Sequence, residues 1–300
     1  MTHDYRSDPR NDTVLIDING ELFPRNEAKI SVFDSGFMLG DGVWEGLRLY
    51  GDKLAFLDQH LDRLYEGTKA LDFKMVVDRA SITERLYACL KANNMSGNGV
   101  HLRLMVTRGV KSTPYQDPRV TITPPTIVII PEYKDPVEND LGISLFTVHV
   151  RRGYPDVQDQ KLNSHSKINC ILACIQATKA GADEALMLDP HGFVSTCNST
   201  HFFIVKKGEL WTSTGDFCLG GITRAVILEL ARANGLTVKE KNFSLTDTYS
   251  ADEAFVTGTF AGLTPVREID GRTIGTGDRP VMKQLQGLYL REVTAKDLAQ

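Results

Sequence analysis

The chain predicts an α+β protein built as two domains. Three observations predict it. Its 300 residues are more than one ordinary core accommodates. Its first 130 residues mix strand-type alternation with two stretches of helical periodicity. Residues 131–140, PEYKDPVEND, are polar, contain two prolines and read as a linker. The expected division is a domain at 1–130, the linker at 131–140 and a second domain at 141–300.

Each element follows from its residues. Residues 1–12 are polar and read as a loose extension. Residues 13–19 alternate, with Val14, Ile16 and Ile18 on one face, and Asn19-Gly20 is a hairpin-turn pair from which Leu22 and Phe23 return. Residues 29–33 lead into the Gly-rich stretch DSGFMLGDG at 34–42. Residues 43–50 are strand-like and end at the turn Gly51-Asp52. Residues 56–71 place Leu57, Leu61, Leu64 and Tyr65 at helical spacing, and 79–93 form a second helix. Strands follow at 100–107 and 126–130. Beyond the linker comes a strand at 143–150. A helix at 167–180 carries Ile168, Ile171, Leu172 and Ile175 at i, i+3, i+4 and i+7. Short strands are expected at 184–188, 193–195, 201–205 and 209–212. A helix at 223–234 ends at Gly235, a residue suited to closing it. Strands at 238–243 and 254–257 and a helix at 281–295 complete the chain, without internal repeats.

Composition narrows the function. Hydrophobic residues make up 42% and charged residues 24%, the balance of a globular chain rather than a disordered or low-complexity one. No apolar run approaches the ~20 residues of a membrane helix. The start, MTHDYRSDPRNDT, lacks the apolar stretch of a secretory signal. With 34 basic and 38 acidic residues the net charge is −4, and no basic stripe points to nucleic acid. The five cysteines are odd in number and form no CxxC pair, so neither a disulfide framework nor a zinc site is indicated and a cytoplasmic location is expected. Cys170 and Cys174 lie one helical turn apart, but no further ligand completes a metal site, and they read as small apolar fillers.

Four features carry candidate chemistry. On the strand 43–50, Trp44, Gly46, Arg48 and Tyr50 share a face, which suits either a carboxylate pocket or a solvated sheet surface. Arg63, in the helix segment HLDRLY, is either a cation reaching water or an anion ligand. The segment GGITR at 220–224 opens a helix, and its N–H groups suit an anion, whereas Thr223 alone reads as an N-cap. The segment VTGT at 256–259 is a strand ending in a small hydroxyl turn.

In order and spacing, DSGFMLGDGVWEGLRLY, LDQHLDRLY, GADEALMLD, GGITR and ADEAFVTGTFAGLTPVREIDG together resemble the fold type IV pyridoxal-phosphate enzymes. That family holds the branched-chain and D-amino-acid aminotransferases and aminodeoxychorismate lyase, and the likeness covers residues 13–285. It implies a smaller N-terminal α/β domain and a larger C-terminal β-barrel-like domain with helices. It implies pyridoxal 5'-phosphate as cofactor, an amino acid and a 2-oxo acid as substrates, a place in amino acid metabolism, and a homodimer. It implies a phosphate cup of Arg63, Gly221, Ile222, Thr223 and Thr259, with Phe260 and Ala261 beside the substrate. A guanidinium, a helix N-terminus and hydroxyl donors are together what a dianion needs.

Two positions depart from the family. Aligned on Pro155-Asp156 and on Ile171-Leu172-Ala173, the cofactor-bearing lysine of the family falls on Asn163, whose amide is no nucleophilic amine. Lys161 and Lys167 lie nearby. If the helix begins near Asn163, Lys167 stands one turn on and on the same face, where the family places a tyrosine. Lys161 needs a two-residue insertion in the loop. The second departure is Thr196, which stands where the family has the glutamate that keeps the pyridine nitrogen protonated; a threonine hydroxyl makes only a neutral hydrogen bond there. The substrate pocket is less specified, with Trp44, Arg48, His101, Arg103, Arg108 and Lys111 as candidates.

Three functions follow from the resemblance. The first is a pyridoxal-phosphate aminotransferase for a branched-chain or D-amino acid, with Lys167 as cofactor-binding amine and proton-transfer group. The second is a lyase or racemase on the same scaffold, which Thr196 favours. The third is a phosphate-ligand binder whose catalytic positions have decayed.

Overall fold

A computed structural model describes residues 8–135 and 141–295. The described chain divides into two compact units: residues 8–135 with 162–166, and residues 141–161 with 167–295. Residues 162–166 thus pack with the first unit although they lie beyond position 141. The described residues contain no helix long and apolar enough to cross a membrane.

The first unit runs β1 (Leu15–Ile18), β2 (Glu21–Pro24), α1 (Ser35–Leu39), β3 (Gly42–Tyr50), β4 (Lys53–Leu54), α2 (Leu57–Ala70), α3 (Arg79–Ala92), β5 (Val100–Thr107) and β6 (Thr126–Tyr133). Its antiparallel sheet has the order β2-β1-β6-β5-β3-β4. Alternation decides the faces. Val43, Leu47 and Leu49 of β3 and Val100, Leu102, Leu104 and Val106 of β5 form a core with Leu61 and Leu64 of α2 and Ile82 and Leu86 of α3. The expected linker starts later than 131, because Pro131 to Tyr133 still belong to β6. There β1 pairs β6 only at Val128 and Ile129, so beyond 130 the strand has an unpaired edge, where a proline lacking an N–H is tolerated. Residues 136–140 of the linker lie outside the described residues.

The expected loose start is tied down from residue 8. Asp8 caps a 3-10 turn at Pro9–Thr13, and the Asn11 side chain donates to the Tyr133 carbonyl and accepts its N–H, both at 2.8 Å. Residues 1–7 of that stretch lie outside the described residues. The Gly-rich stretch 34–42 folds into α1, whose Gly36 N–H is capped by Asp34 at 2.8 Å.

The second unit holds β7 (Ile143–Thr147), α4 (Pro155–Gln158), α5 (Ile168–Lys179), β8 (Glu184–Leu188), β9 (Val194–Cys197), β10 (His201–Lys206), β11 (Glu209–Thr212), α6 (Ile222–Ala233), β12 (Val238–Glu240), α7 (Leu245–Tyr249), β13 (Glu253–Gly258), β14 (Gly262–Ile269), β15 (Arg272–Thr273) and α8 (Pro280–Thr294). The sheet order is β12-β11-β10-β13-β14-β7-β8-β9, with β15 on β14. The sheet curls, since its last strand, β9, turns directly into its third, β10, with the Cys197 N–H donating to the Thr200 carbonyl at 2.9 Å. The fold is α+β, as the residues predict.

One helix presents its faces unexpectedly. The stripe Ile168, Ile171, Leu172 and Ile175 that marks α5 is 63%, 51%, 48% and 45% exposed. The side of α5 turned to its sheet is made by Ala173 and Ala177, which pack with Val148, Ala185 and Met187. Small residues let the helix lie close, and the larger ones point out.

Candidate active site

In the first unit, chemistry is organised by the two faces of β3. Val43, Glu45, Leu47 and Leu49 alternate toward the core, so Glu45 is a carboxylate set among apolar side chains. Such a charge persists only if it is paired. Helix α2 supplies the partners three residues apart on one face: His60 Nδ1 lies 2.6 Å from Glu45 Oε2, and Arg63 donates Nε to Oε1 at 2.8 Å and a terminal nitrogen to Oε2 at 2.6 Å. Burial alone would raise the Glu45 carboxyl, but hydrogen bonds from Arg63 and His60 outweigh it and hold it below the usual carboxylate range. Burial pushes His60 down against the pull of Glu45, so the neutral imidazole donates from Nδ1 and its buried Nε2 has no partner. Arg63 is therefore held by a planar two-point contact.

The opposite face of β3 carries Trp44, Gly46, Arg48 and Tyr50. Register places Met105, Arg103 and His101 of β5 opposite Trp44, Gly46 and Arg48. Arg103 stacks on the Trp44 ring at 4.1 Å, and Arg48, buried, donates to the Lys134 carbonyl at 3.1 Å. Four candidate pocket residues thus share one surface. Arg108 and Lys111 are not on it. Arg108 grips Asp41 through two nitrogens and the Leu71 and Asp72 carbonyls, and Lys111 is buried with its ammonium on the Asp117 carbonyl at 3.1 Å. Both cations hold loops in shape.

Asn163 also belongs to this unit. Its carbonyl accepts the Trp44 N–H at 3.0 Å, its amide donates to the Trp44 carbonyl at 2.5 Å, and Ser164 bridges Val43. The backbone at 163–164 is therefore extended along β3, and the helical start expected near Asn163 is not there. The one-turn relation between Asn163 and Lys167 fails for that reason. Lys167 instead stands at the N-cap of α5 in the second unit, half-buried, with φ −115° and ψ 16°. Lys161 is exposed in a turn that its N–H closes on Asp159.

The second unit holds the expected phosphate residues other than Arg63, which belongs to the first unit, at one end of its sheet. Helix α6 is 12 residues long, and its N-cap, Gly221, has no side chain to satisfy the first N–H groups. Ile222 and Thr223 follow, both buried. Thr259, Phe260 and Ala261 form the tip of the hairpin between β13 and β14, closed by the Gly258–Gly262 pair. Thr196 is buried on β9 opposite Met187 and donates its hydroxyl to the Thr200 carbonyl at 2.8 Å. Glu184, the acid of the neighbouring strand, is engaged on the same turn, accepting from the Ser199 hydroxyl and N–H and from the Thr200 hydroxyl.

The residues alone did not single out Glu45 or His201, and gave Thr257 only as part of the segment VTGT. Glu45 was visible as a lone acid on an apolar alternation. The other two emerge only from strand register. His201 of β10 and Thr257 of β13 are direct partners on the sheet, and the His201 ring lies against Gly221, where an added Cβ would come 2.2 Å from Nε2. The Thr257 hydroxyl is buried without a partner. A phosphate fits this set: an uncapped helix start, hydroxyls and an orphaned donor. Among the described residues no group of three His, Cys, Asp or Glu suits a metal ion.

The Amino-transferase class IV family profile matches residues 42–269. The chain is 43% identical over 283 residues to the branched-chain-amino-acid aminotransferase-like protein 2 of Arabidopsis thaliana, a match covering 94% of this chain and 50% of that one. The chain thus spans about half the length of that relative. It is 41% identical over 258 residues to a putative branched-chain-amino-acid aminotransferase of Methanocaldococcus jannaschii, covering 86% and 88%. Among solved structures, the branched-chain aminotransferase of Thermobaculum terrenum in its PLP-bound holo form superposes with a TM-score of 0.83 at 25% identity, covering 96% of each chain.

Proposed function

Because the chain belongs to the class IV aminotransferase family, we propose that it is a pyridoxal-phosphate-dependent aminotransferase. It moves the amino group of a branched-chain or D-amino acid to a 2-oxo acid, so the donor leaves as a 2-oxo acid and the acceptor as an amino acid. The relatives' names favour a branched-chain substrate. The observation that carries the proposal is the uncapped start of α6, where Gly221 lies against His201, the strand partner of Thr257 near the end of β13.

Pyridoxal 5'-phosphate, when bound, supplies the carbonyl carbon that takes the amino group and a ring that draws electron density from the substrate. The chain supplies the rest. Ile222, Thr223 and Thr259 would hold the phosphate; the family resemblance gives the same role to Arg63, which Glu45 fixes in orientation within its own unit. Arg48, Arg103 and Trp44 form a cationic, aromatic surface suited to a substrate carboxylate and side chain. Lys167 is the amine that binds the cofactor and moves the substrate's α-proton.

One observation favours a second reading. Thr196 spends its proton on the Thr200 carbonyl, so it has none to donate to an unprotonated ring nitrogen and no charge to stabilise a protonated one. A ring held this way suits elimination or racemisation better than transamination.

The protein acts as a homodimer in the cytoplasm. The exposed apolar stripe of α5 supports the first, and five cysteines without a disulfide support the second.

Borohydride reduction of the holoenzyme followed by peptide mapping tests the assignment. A pyridoxyl adduct on Lys167 is expected, and Lys167→Ala lowers turnover roughly 10²–10⁴-fold. An adduct on Lys161, or none, overturns the role of Lys167. Pyruvate, ammonia or an inverted amino acid formed without a 2-oxo acid acceptor replaces the aminotransferase by the second reading.

A further inference from the structure

One face of the β10–β13 pair meets two helix starts, and it treats them differently. On antiparallel strands, directly paired residues share a face. Register pairs His201 with Thr257, Phe203 with Phe255 and Val205 with Glu253. The opposite face, with Phe202, Ile204, Ala254 and Val256, belongs to the unit's apolar core. On the first face Phe203 and Phe255 stack at 5.2 Å, and the polar residues stand at either end of them.

At one end Glu253 accepts the Val281 N–H at 3.0 Å and the Met282 N–H at 2.9 Å. Those are among the first N–H groups of α8, so that helix start has a carboxylate built into the sheet. At the other end the sheet offers no carboxylate. His201 lies on Gly221 at the start of α6, so close that any side chain at 221 would collide with the imidazole. Thr257, 0% exposed, stands beside it on the same face, and its hydroxyl has no partner. A bare helix N-terminus against His201, with a hydroxyl that lacks an acceptor on the same sheet face, is a set of donors without an anion.

We propose that His201 and Thr257 are phosphate ligands, completing the anion site at the start of α6 with two side chains that the family resemblance does not assign. The occupant is a phosphate monoester, and in the reading above it is the cofactor's own phosphate, so this inference rests on that reading. Gly221 is glycine because the imidazole edge must approach the helix start. Thr257 supplies the hydroxyl donor from the neighbouring strand, one residue before the Gly258–Gly262 closure that precedes Thr259. The carboxylate at α8 and the donors at α6 are then two answers to one problem: the first is satisfied within the chain, and the second from outside.

The test compares three ligands on the full-length protein: pyridoxal 5'-phosphate, pyridoxal and inorganic phosphate as competitor, followed by absorbance and tryptophan fluorescence. Thr257→Val keeps the shape and removes the hydroxyl, Thr257→Ser restores it, and His201→Asn removes the imidazole. Thr257→Val and His201→Asn are each expected to weaken pyridoxal 5'-phosphate about tenfold or more, the cost of one hydrogen bond to a charged group, and to weaken competition by phosphate in step. Pyridoxal affinity stays unchanged, and Thr257→Ser returns the wild-type preference. Variants that bind the phosphate ester like wild type overturn the proposal while leaving the cofactor assignment standing. Equal loss of pyridoxal and pyridoxal 5'-phosphate also overturns it, since the residues then support the fold alone. If the wild type binds neither pyridoxal 5'-phosphate nor phosphate, the cofactor reading falls first and this inference with it.

Discussion

Two polar regions of the second unit, the β9–β10 turn and the start of α6, are built from similar residues to opposite ends. At the turn the hydroxyls and the acid have found partners: Thr196 binds the Thr200 carbonyl, and Glu184 gathers Ser199 and Thr200. Near the end of β13 a threonine of comparable burial, Thr257, has none, and at α6 a glycine leaves the helix start bare. A buried hydroxyl without a partner costs about 1–3 kcal/mol. A chain that completes its hydrogen bonds in one place and leaves them open a short distance away is marking where something else belongs.

Three comparisons sharpen that contrast. The largest effect is expected in the first unit, where the charge is also closed within the chain. Glu45→Gln leaves Arg63 and His60 facing a neutral amide and should destabilise that unit by about 3–5 kcal/mol, read as a lower denaturant midpoint. The same trio sets a pH dependence. Glu45 and His60 both have lowered folded-state pKa values, so the unfolded chain binds more protons. Stability from this site is full above about 6.5, the ordinary histidine value, and falls first through His60 and then, below about 4.5, through Glu45. A flat stability profile across that acid range would break the account.

A smaller effect belongs to α8. Glu253→Ala strips the helix start of its acceptor and should cost about 0.5–2 kcal/mol, measurable by thermal unfolding. The finest comparison pairs two conservative changes. Thr196→Val removes a bond the chain makes and leaves the Thr200 carbonyl with the Cys197 N–H alone, costing about 0.5–1.5 kcal/mol. Thr257→Val in the ligand-free protein removes a hydroxyl that bonds nothing and should be neutral or slightly stabilising. Equal losses from the two would erase the distinction between the closed and the open region.

Much of this was legible in the residues. Alternation placed Trp44 and Arg48 on one face, to which the β3–β5 register adds the candidates His101 and Arg103, and periodicity placed α2, α3, α6 and α8 within a few residues. The family motifs located the helix start at 221–223. Three things were not legible. Asn163 lies extended because residues far back in the chain, at Val43 and Trp44, take up its hydrogen bonds, and nothing local to 163 announces that. Arg108 and Lys111 looked like pocket cations, but a cation's role depends on the carbonyls and carboxylates within reach, which only tertiary structure assigns. The pairing of His201 with Thr257 is a matter of register between β10 and β13, strands separated in the chain by β11, α6, β12 and α7.

The cysteines show one more consequence of how α5 is turned. Burial holds Cys89 at about 11 and raises Cys197 and Cys218 as well, so these thiols stay protonated and shielded. The remaining two, Cys170 and Cys174, lie along the flank of α5 between its sheet-facing alanines and the exposed stripe, and are only partly covered. An alkylating reagent applied to the native chain therefore reports on the flank of one helix, beside its exposed stripe. The extent of its reaction is a chemical gauge of whether that greasy stripe stands in water or has been covered.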